Sequence, residues 1–145
     1  MAREAQRYVT QLLVELLGPG ETEKRFDWCR GDSRDPAGVG RTLPFDAVWE
    51  SRKVIVEFDE RQHDEPVDFF DKPQRMTVSG VHRGEQRRHY DERKVRLAQA
   101  QGYAVIRIPA SALAWRGSRL AKVRSADLLV LRELLARAGV TSAAS

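Results

Sequence analysis

The sequence predicts an α/β (α+β) fold in which a small sheet is flanked by helices. A helical repeat opens the chain, strand-like segments follow it, and helical and strand patterns then alternate toward the C-terminus. The 145 residues, of which 41% are hydrophobic, suit one modest core. We therefore expect one domain spanning residues 1–145.

Three helices are predicted from the spacing of apolar residues and from the residues that end them. They cover residues 3–17, 86–101 and 125–138. Gly18 ends the first helix and Gly102 ends the second, as glycine often does at helix C-termini. Ser125 is expected to cap the third helix. The apolar side of that helix is expected to carry Leu128, Leu129, Leu131, Leu134 and Leu135.

Four segments favour strands, and loops rich in polar residues separate them. The strands are predicted over residues 24–28, 45–49, 53–59 and 103–108. Residues 30–42 are polar and contain three glycines, which predicts an exposed loop. The irregular segment 64–85 contains two prolines and two glycines, and it is long enough to be a functional loop or lid.

Composition and charge narrow the classes of function. The net charge is +4, and 20 of the 25 basic residues are arginine, whose planar guanidinium matches phosphate groups. This balance favours a polyanionic partner. No signal peptide or membrane-length apolar run is evident, so a soluble, cytoplasmic protein is expected. Cys29 is the single cysteine and is expected to be a small apolar residue at a strand end.

Acidic residues lie at the end of an otherwise apolar strand in the segment VIVEFDERQH, residues 54–63. Strand alternation places Glu57 and Asp59 on one face, about 7 Å apart. A tight turn near Ser51 would set a register in which Asp46 faces Glu57, with Cβ atoms roughly 4.5 to 5.5 Å apart. Unpaired like charges at that distance raise a pKa or destabilise the hairpin.

These three acids, Asp46, Glu57 and Asp59, therefore predict a site for Mg²⁺ or Mn²⁺, because both ions prefer hard oxygen ligands. The alternative is a solvated hairpin face on which each acid pairs with an arginine.

Two further side chains could serve this site. His63 follows the strand, and a histidine near a metal can act as general base or general acid, although it could equally be a half-exposed loop residue. Lys94 shares a helical stripe with Tyr90 and Leu97, so its amine could reach the carboxylates and polarise a phosphate. The alternative is an amine that extends along the helix edge to solvent.

The chemical groups occur in a characteristic order along the chain. Asp46 is followed by Glu57-x-Asp59-x-x-x-His63, then by Tyr90-Asp91-x-Arg93-Lys94, then by Gly102-Tyr103 and the strand AVIRI. This order resembles the PD-(D/E)xK nuclease superfamily, and within it the branch of very-short-patch repair endonucleases and compact EDxHD homing nucleases. The resemblance covers residues 3–109. It implies a restriction-endonuclease-like core, a four-stranded mixed sheet flanked by helices, with a Mg²⁺-dependent phosphodiesterase site at the hairpin.

The resemblance also implies roles for individual residues. Asp46 and Glu57 would match the two metal ligands, and Asp59 would be an additional ligand or an orienting carboxylate. His63 would match the histidine that acts on the attacking water or the leaving group.

The chain departs from the superfamily pattern at one central position. Asp59 stands where the superfamily usually has its lysine, and Lys94 would be a migrated replacement. An acidic residue of the first helix often completes such sites, and Glu4 or Glu15 could do so here.

The function expected from these features is a Mg²⁺-dependent (or Mn²⁺-dependent) DNA endonuclease or nickase that hydrolyses phosphodiester bonds with water. Double-stranded DNA is the expected substrate, and RNA is left open as an alternative substrate. A homodimer is compatible with double-strand cleavage. Arginines would hold the nucleic-acid backbone. They are Arg61, Arg75, Arg83, Arg87, Arg88, Arg93 and Arg96. The alternative is a catalytically inactive nuclease fold that binds nucleic acid or protein.

Overall fold

Four strands form one mixed sheet in the computed structural model, which describes residues 1–33, 38–59 and 83–142. The strands lie in the order β1-β2-β3-β4. They are β1 (Glu21–Arg30), β2 (Thr42–Trp49), β3 (Val54–Phe58) and β4 (Ala104–Ile108). β1, β2 and β3 are antiparallel neighbours, whereas β4 runs parallel to β3. The mixed α/β class and the four-stranded sheet are thus confirmed.

Three helices pack against the two faces of this sheet. They are α1 (Arg3–Leu17), α2 (Arg83–Ala100) and α3 (Arg124–Arg137). Leucines of α1 and α3 share one apolar cluster with Val54, Val56 and Phe58 of β3. Ile55 packs on the opposite face in a second cluster that contains Ala98 of α2. The alternation predicted for β3 is therefore confirmed, and it directs Glu57 toward α2.

The β2–β3 turn has the length that the expected register requires. Residues Glu50–Arg52 form one turn of 3₁₀-helix, and Lys53 then adopts a left-handed conformation with φ of 56°. The pairs Ala47↔Val56 and Trp49↔Val54 follow directly. Cys29 is fully buried next to the last residue of β1, as expected.

Two expectations for the third helix are wrong. The helix begins at Arg124, so Ser125 lies within its first turn, and Val123 precedes the helix without a side-chain cap. Leu129 is 67% exposed, because the buried stripe follows Asp127, Leu131 and Leu135 at four-residue intervals, and Leu129 lies on the other side.

A short hairpin that the sequence reading missed precedes α3. It comprises β5 (Trp115–Arg116) and β6 (Arg119–Leu120), joined through Gly117 at φ of 63°. Two-residue strands give too short an alternation to be recognised as a pattern. In the part of the chain that the structure describes, no helix is long and apolar enough to cross a membrane.

Candidate functional site

β2 and β3 bring Asp46 and Glu57 together just beyond the last residues at which the two strands pair. The backbone N–H of Asp46 donates to Glu57 Oε2 at 2.8 Å, and the backbone N–H of Phe58 donates to Asp46 Oδ2 at 2.8 Å. The two side-chain carboxylates thus accept hydrogen bonds from backbone N–H groups that lie beyond Ala47 and Val56, the last residues at which β2 and β3 pair. The predicted juxtaposition of Asp46 and Glu57 is confirmed.

Lys94 reaches this pair of acids from α2. Its Nζ forms an ion pair with Glu57 Oε1, and the two side chains are only 14% and 7% exposed. The amine also lies 5.0 Å from the centroid of the Phe45 ring. Lys94 therefore points at the sheet and the carboxylates, and the alternative of an amine extending to solvent is excluded.

Burial, the Lys94 amine and the Asp46 carboxylate together determine the pKa of Glu57. Burial raises the pKa of Glu57 from its usual 4.5 to about 7, because the charged form loses hydration. The Lys94 charge and the Asp46 N–H act in the opposite direction, while the Asp46 charge adds to the rise of this pKa. A buried carboxyl that titrates near neutrality between an acid and a base is typical of reactive sites.

Asp59 lies directly after β3 and is 8% exposed. Its backbone N–H donates to the carbonyl of Ile108 at 3.0 Å, which extends the β3–β4 ladder by one residue. Within residues 1–33, 38–59 and 83–142, no three His, Cys, Asp or Glu side chains are grouped closely enough to hold a metal ion. The three-acid metal set of Asp46, Glu57 and Asp59 thus stays a prediction, and the described contacts join two of its members.

A contact that the sequence reading missed fixes α2 against β1. Arg93 donates to the carbonyl of Arg30 at 2.8 Å and to Asp32 Oδ1 at 2.9 Å. The backbone N–H of Asp32 in turn donates to the hydroxyl of Tyr90 at 2.9 Å. Tyr90 and Arg93 precede Lys94 on the same helix, so these contacts hold Lys94 in place opposite Glu57. Their partners lie about 60 residues away in sequence, which is why helical spacing alone did not reveal them.

The predicted nucleic-acid contacts have different outcomes. Arg87, Arg88 and Arg96 are exposed on α2, whereas Arg93 is held by Arg30 and Asp32. Arg83 is the first residue of α2. His63, Arg61 and Arg75 lie outside the described residues.

The first helix does not complete the site. Glu4 pairs with Lys122 at 3.3 Å, and Glu15 pairs with Arg124. α1 packs with α3 on the face of the sheet opposite α2, so neither acid meets Glu57. The expectation that Glu4 or Glu15 joins the site is wrong, because strand alternation separates the two layers.

The structure therefore assembles a buried acid, a second acid and an amine from three different elements. Comparison of this chain with models of protein families, with curated proteins and with solved structures finds no match.

Proposed function

We propose that this protein is a Mg²⁺- or Mn²⁺-dependent endonuclease or nickase that hydrolyses phosphodiester bonds in DNA. The observation that carries the proposal is the environment of Glu57, a buried carboxyl that contacts both Asp46 and Lys94. The ion pair between Glu57 and Lys94 would by itself be enough to hold α2 against β3. The second acid, Asp46, also accepts from the backbone N–H of Phe58, but its charge makes Glu57 harder to ionise, which a purely structural pair does not need.

The donor set fits a hard divalent cation. Mg²⁺ is commonly held in enzymes by one or two carboxylates, with waters and substrate phosphates completing its coordination. Asp46 and Glu57 supply two carboxylates from adjacent strands, and Asp46 is half-buried. Asp59 follows within two residues of Glu57. A bound cation would offset the Asp46 charge, which adds to the effect of burial in raising the pKa of Glu57.

The side chains would divide the chemistry of hydrolysis among them. Asp46 and Glu57 would hold the cation, which supplies charge stabilisation at the phosphate and a more acidic water. Lys94 would donate to a phosphate oxygen as charge develops during attack of the water on phosphorus. The water oxygen would form the new P–O bond and release its proton to solvent, while the ester P–O bond to the leaving oxygen breaks and that oxygen takes up a proton. His63, outside the described residues, is the predicted donor of that proton.

Cleavage of supercoiled plasmid tests this proposal. With Mg²⁺ or Mn²⁺, Glu57→Gln and Asp46→Asn should each lower the rate by at least about 100-fold, because each removes a cation ligand. Lys94→Arg should retain more activity than Lys94→Met. Arg132→Ala is the matched control, since Arg132 is exposed on α3 in the other layer and has no place in the site.

A second measurement separates an enzyme from an inactive nuclease fold. Both oxygens of Glu57 are already engaged, by Lys94 and by the Asp46 N–H, which favours a purely structural pair. If that reading holds, titration with Mn²⁺ gives no binding heat that depends on Glu57, and plasmid stays intact while DNA is still bound. Mn²⁺ binding that disappears in Glu57→Gln supports the proposal that the protein is a metal-dependent enzyme.

A further inference from the structure

An open cavity of about 480 Å³, widely exposed to solvent, lies beside the candidate site, between α2 and the strand β4. Arg107 of β4 lines the cavity, and it is the register partner of Glu57 in the parallel β3–β4 pair. Neighbouring strands lie about 4.8 Å apart, so the cavity begins one strand away from the buried acid. Asp91 and Val95, which flank Lys94 on α2, also line it. A substrate held at Glu57 and Lys94 would therefore reach this cavity directly.

The lining combines groups of opposite charge rather than one sign. Guanidinium groups come from Arg88, Arg96 and Arg107, and carboxylates come from Asp91 and Glu92. Arg107 pairs with Asp91 at 3.2 Å, while 42% of the Arg107 side chain stays exposed. A site for phosphate alone would gain nothing from two carboxylates, because they repel the anion. The mixture suits a ligand that carries both hydrogen-bond donors and acceptors.

The remaining lining residues add an apolar surface and an amide. Val95 is half-buried in the wall, and Gln99 is exposed one turn further along α2. Guanidinium planes stack on nucleobases, and carboxylates accept hydrogen bonds from exocyclic amino groups. A side-chain amide can both donate hydrogen bonds to a base and accept them from it. The volume falls within the 300–1,000 Å³ of small-molecule pockets, which is ample for a purine.

We propose that this cavity receives an unpaired nucleobase of the strand held at the Glu57–Lys94 site. The inference rests on the proposed function for its nucleic-acid partner, and it adds a preference for substrates with a base outside the duplex. A base-paired strand keeps its bases stacked within the helix, so only an unpaired or extruded base can enter such a cavity.

Binding without cleavage tests the cavity separately from catalysis. The probe is a fluorescein-labelled short duplex with one unpaired adenine, compared with its fully paired counterpart. Binding to Glu57→Gln protein in EDTA is measured by fluorescence anisotropy. The unpaired adenine should tighten binding by about tenfold, consistent with the stacking contribution of one base. An abasic residue at the same bulge should abolish this gain.

Filling the cavity should remove the preference without changing charge. Val95→Trp in the same background should bind both duplexes equally, at the affinity of the fully paired duplex. Gln99→Trp provides an independent filling variant at an exposed position that should fold normally. Leu129→Trp is the control, because Leu129 is 67% exposed on α3, away from the cavity. It should keep the tenfold difference.

The possible outcomes separate this inference from the proposed function. Plasmid cleavage without any preference for the unpaired adenine, or a preference that both filling variants keep, overturns the cavity assignment alone. A preference lost on filling, in a protein that cleaves nothing, supports the cavity and overturns the enzyme. Deoxyadenosine monophosphate that binds as tightly as the bulged duplex would assign the cavity to free nucleotides and overturn its assignment to a strand.

Discussion

The two faces of the sheet each bury a carboxylate, and the two acids are satisfied in opposite ways. On the α1–α3 face, Asp127 is 1% exposed and accepts from the Tyr8 hydroxyl at 2.5 Å and from the Ala114 N–H at 2.9 Å. On the α2 face, Glu57 accepts from one N–H, pairs with Lys94 and lies beside Asp46. Asp127 has neutral donors as partners, whereas Glu57 has a cation and a competing anion.

Under the proposed function, this difference distinguishes an acid that only joins elements from one that also binds a cation. The Asp127 contacts connect α1, α3 and the chain before β5. They raise the pKa of Tyr8, because burial and the nearby carboxylate both disfavour the phenolate. Glu57 itself has a raised pKa, because burial and the Asp46 charge outweigh Lys94 and the Asp46 N–H. We expect substitutions on the two faces to separate stability from activity.

The largest expected effect on stability comes from Lys94→Met. Near pH 8 this change leaves Glu57 buried beside Asp46 without its cation, so the group must either carry an unpaired charge or bind a proton, and breaking such a pair costs about 3 kcal/mol or more. Urea unfolding near pH 8 measures the loss. The double variant Glu57→Gln/Lys94→Met should recover most of it, since no buried charge is left unpaired. Equal instability of the single and double variants would contradict the role of the ion pair.

A smaller effect is expected from Asp127→Ala on the other face. This change leaves the Tyr8 hydroxyl and the Ala114 N–H without their acceptor, at a cost of about 2 to 3 kcal/mol. Urea unfolding reports the cost, and plasmid cleavage by the folded protein should match wild type. Tyr8→Phe is the matched control, expected to lose about 1 kcal/mol because it removes one hydrogen bond. A loss of specific activity in Asp127→Ala would show that the two faces are coupled.

Local periodicity was sufficient to predict the order of the main elements, the β2–β3 register and the contact between Asp46 and Glu57. Alternation in β3 and a short turn act over few residues, so the pattern carries that information directly. Helical spacing also placed Lys94 on the stripe that faces the sheet.

Contacts between distant segments could not be read in this way. The Arg93 contacts to β1 and the Tyr8–Asp127 hydrogen bond join residues far apart in sequence, and no local pattern marks them. The expectation for Glu4 and Glu15 rested on the family resemblance, and it is wrong because α1 lies in the layer opposite α2, which no local pattern in the sequence indicates. Leu129 shows the limit of counting leucines on a helix, since an acid, Asp127, occupies the buried stripe instead.

The pH dependence of stability gives the sharpest comparison of the two acids. The pKa of Glu57 in the folded protein, about 7, lies above its unfolded value near 4.5. Between these values the folded state binds more protons than the unfolded state, so the contribution of Glu57 lowers stability as pH rises and levels off above about pH 7. The full shift corresponds to roughly 3 kcal/mol.

Urea unfolding of wild type and Glu57→Gln in EDTA, from about pH 4.5 to about pH 8, isolates this contribution. The difference in unfolding free energy, wild type minus variant, should decrease with pH across that window and then stay constant. A difference that increases with pH would mean that Lys94 outweighs burial and Asp46, and that the folded protein prefers Glu57 ionised. In that case the α2 face would hold a stabilising ion pair, satisfied in the folded state as Asp127 is, and the electrostatic basis for a cation between Asp46 and Glu57 would be lost.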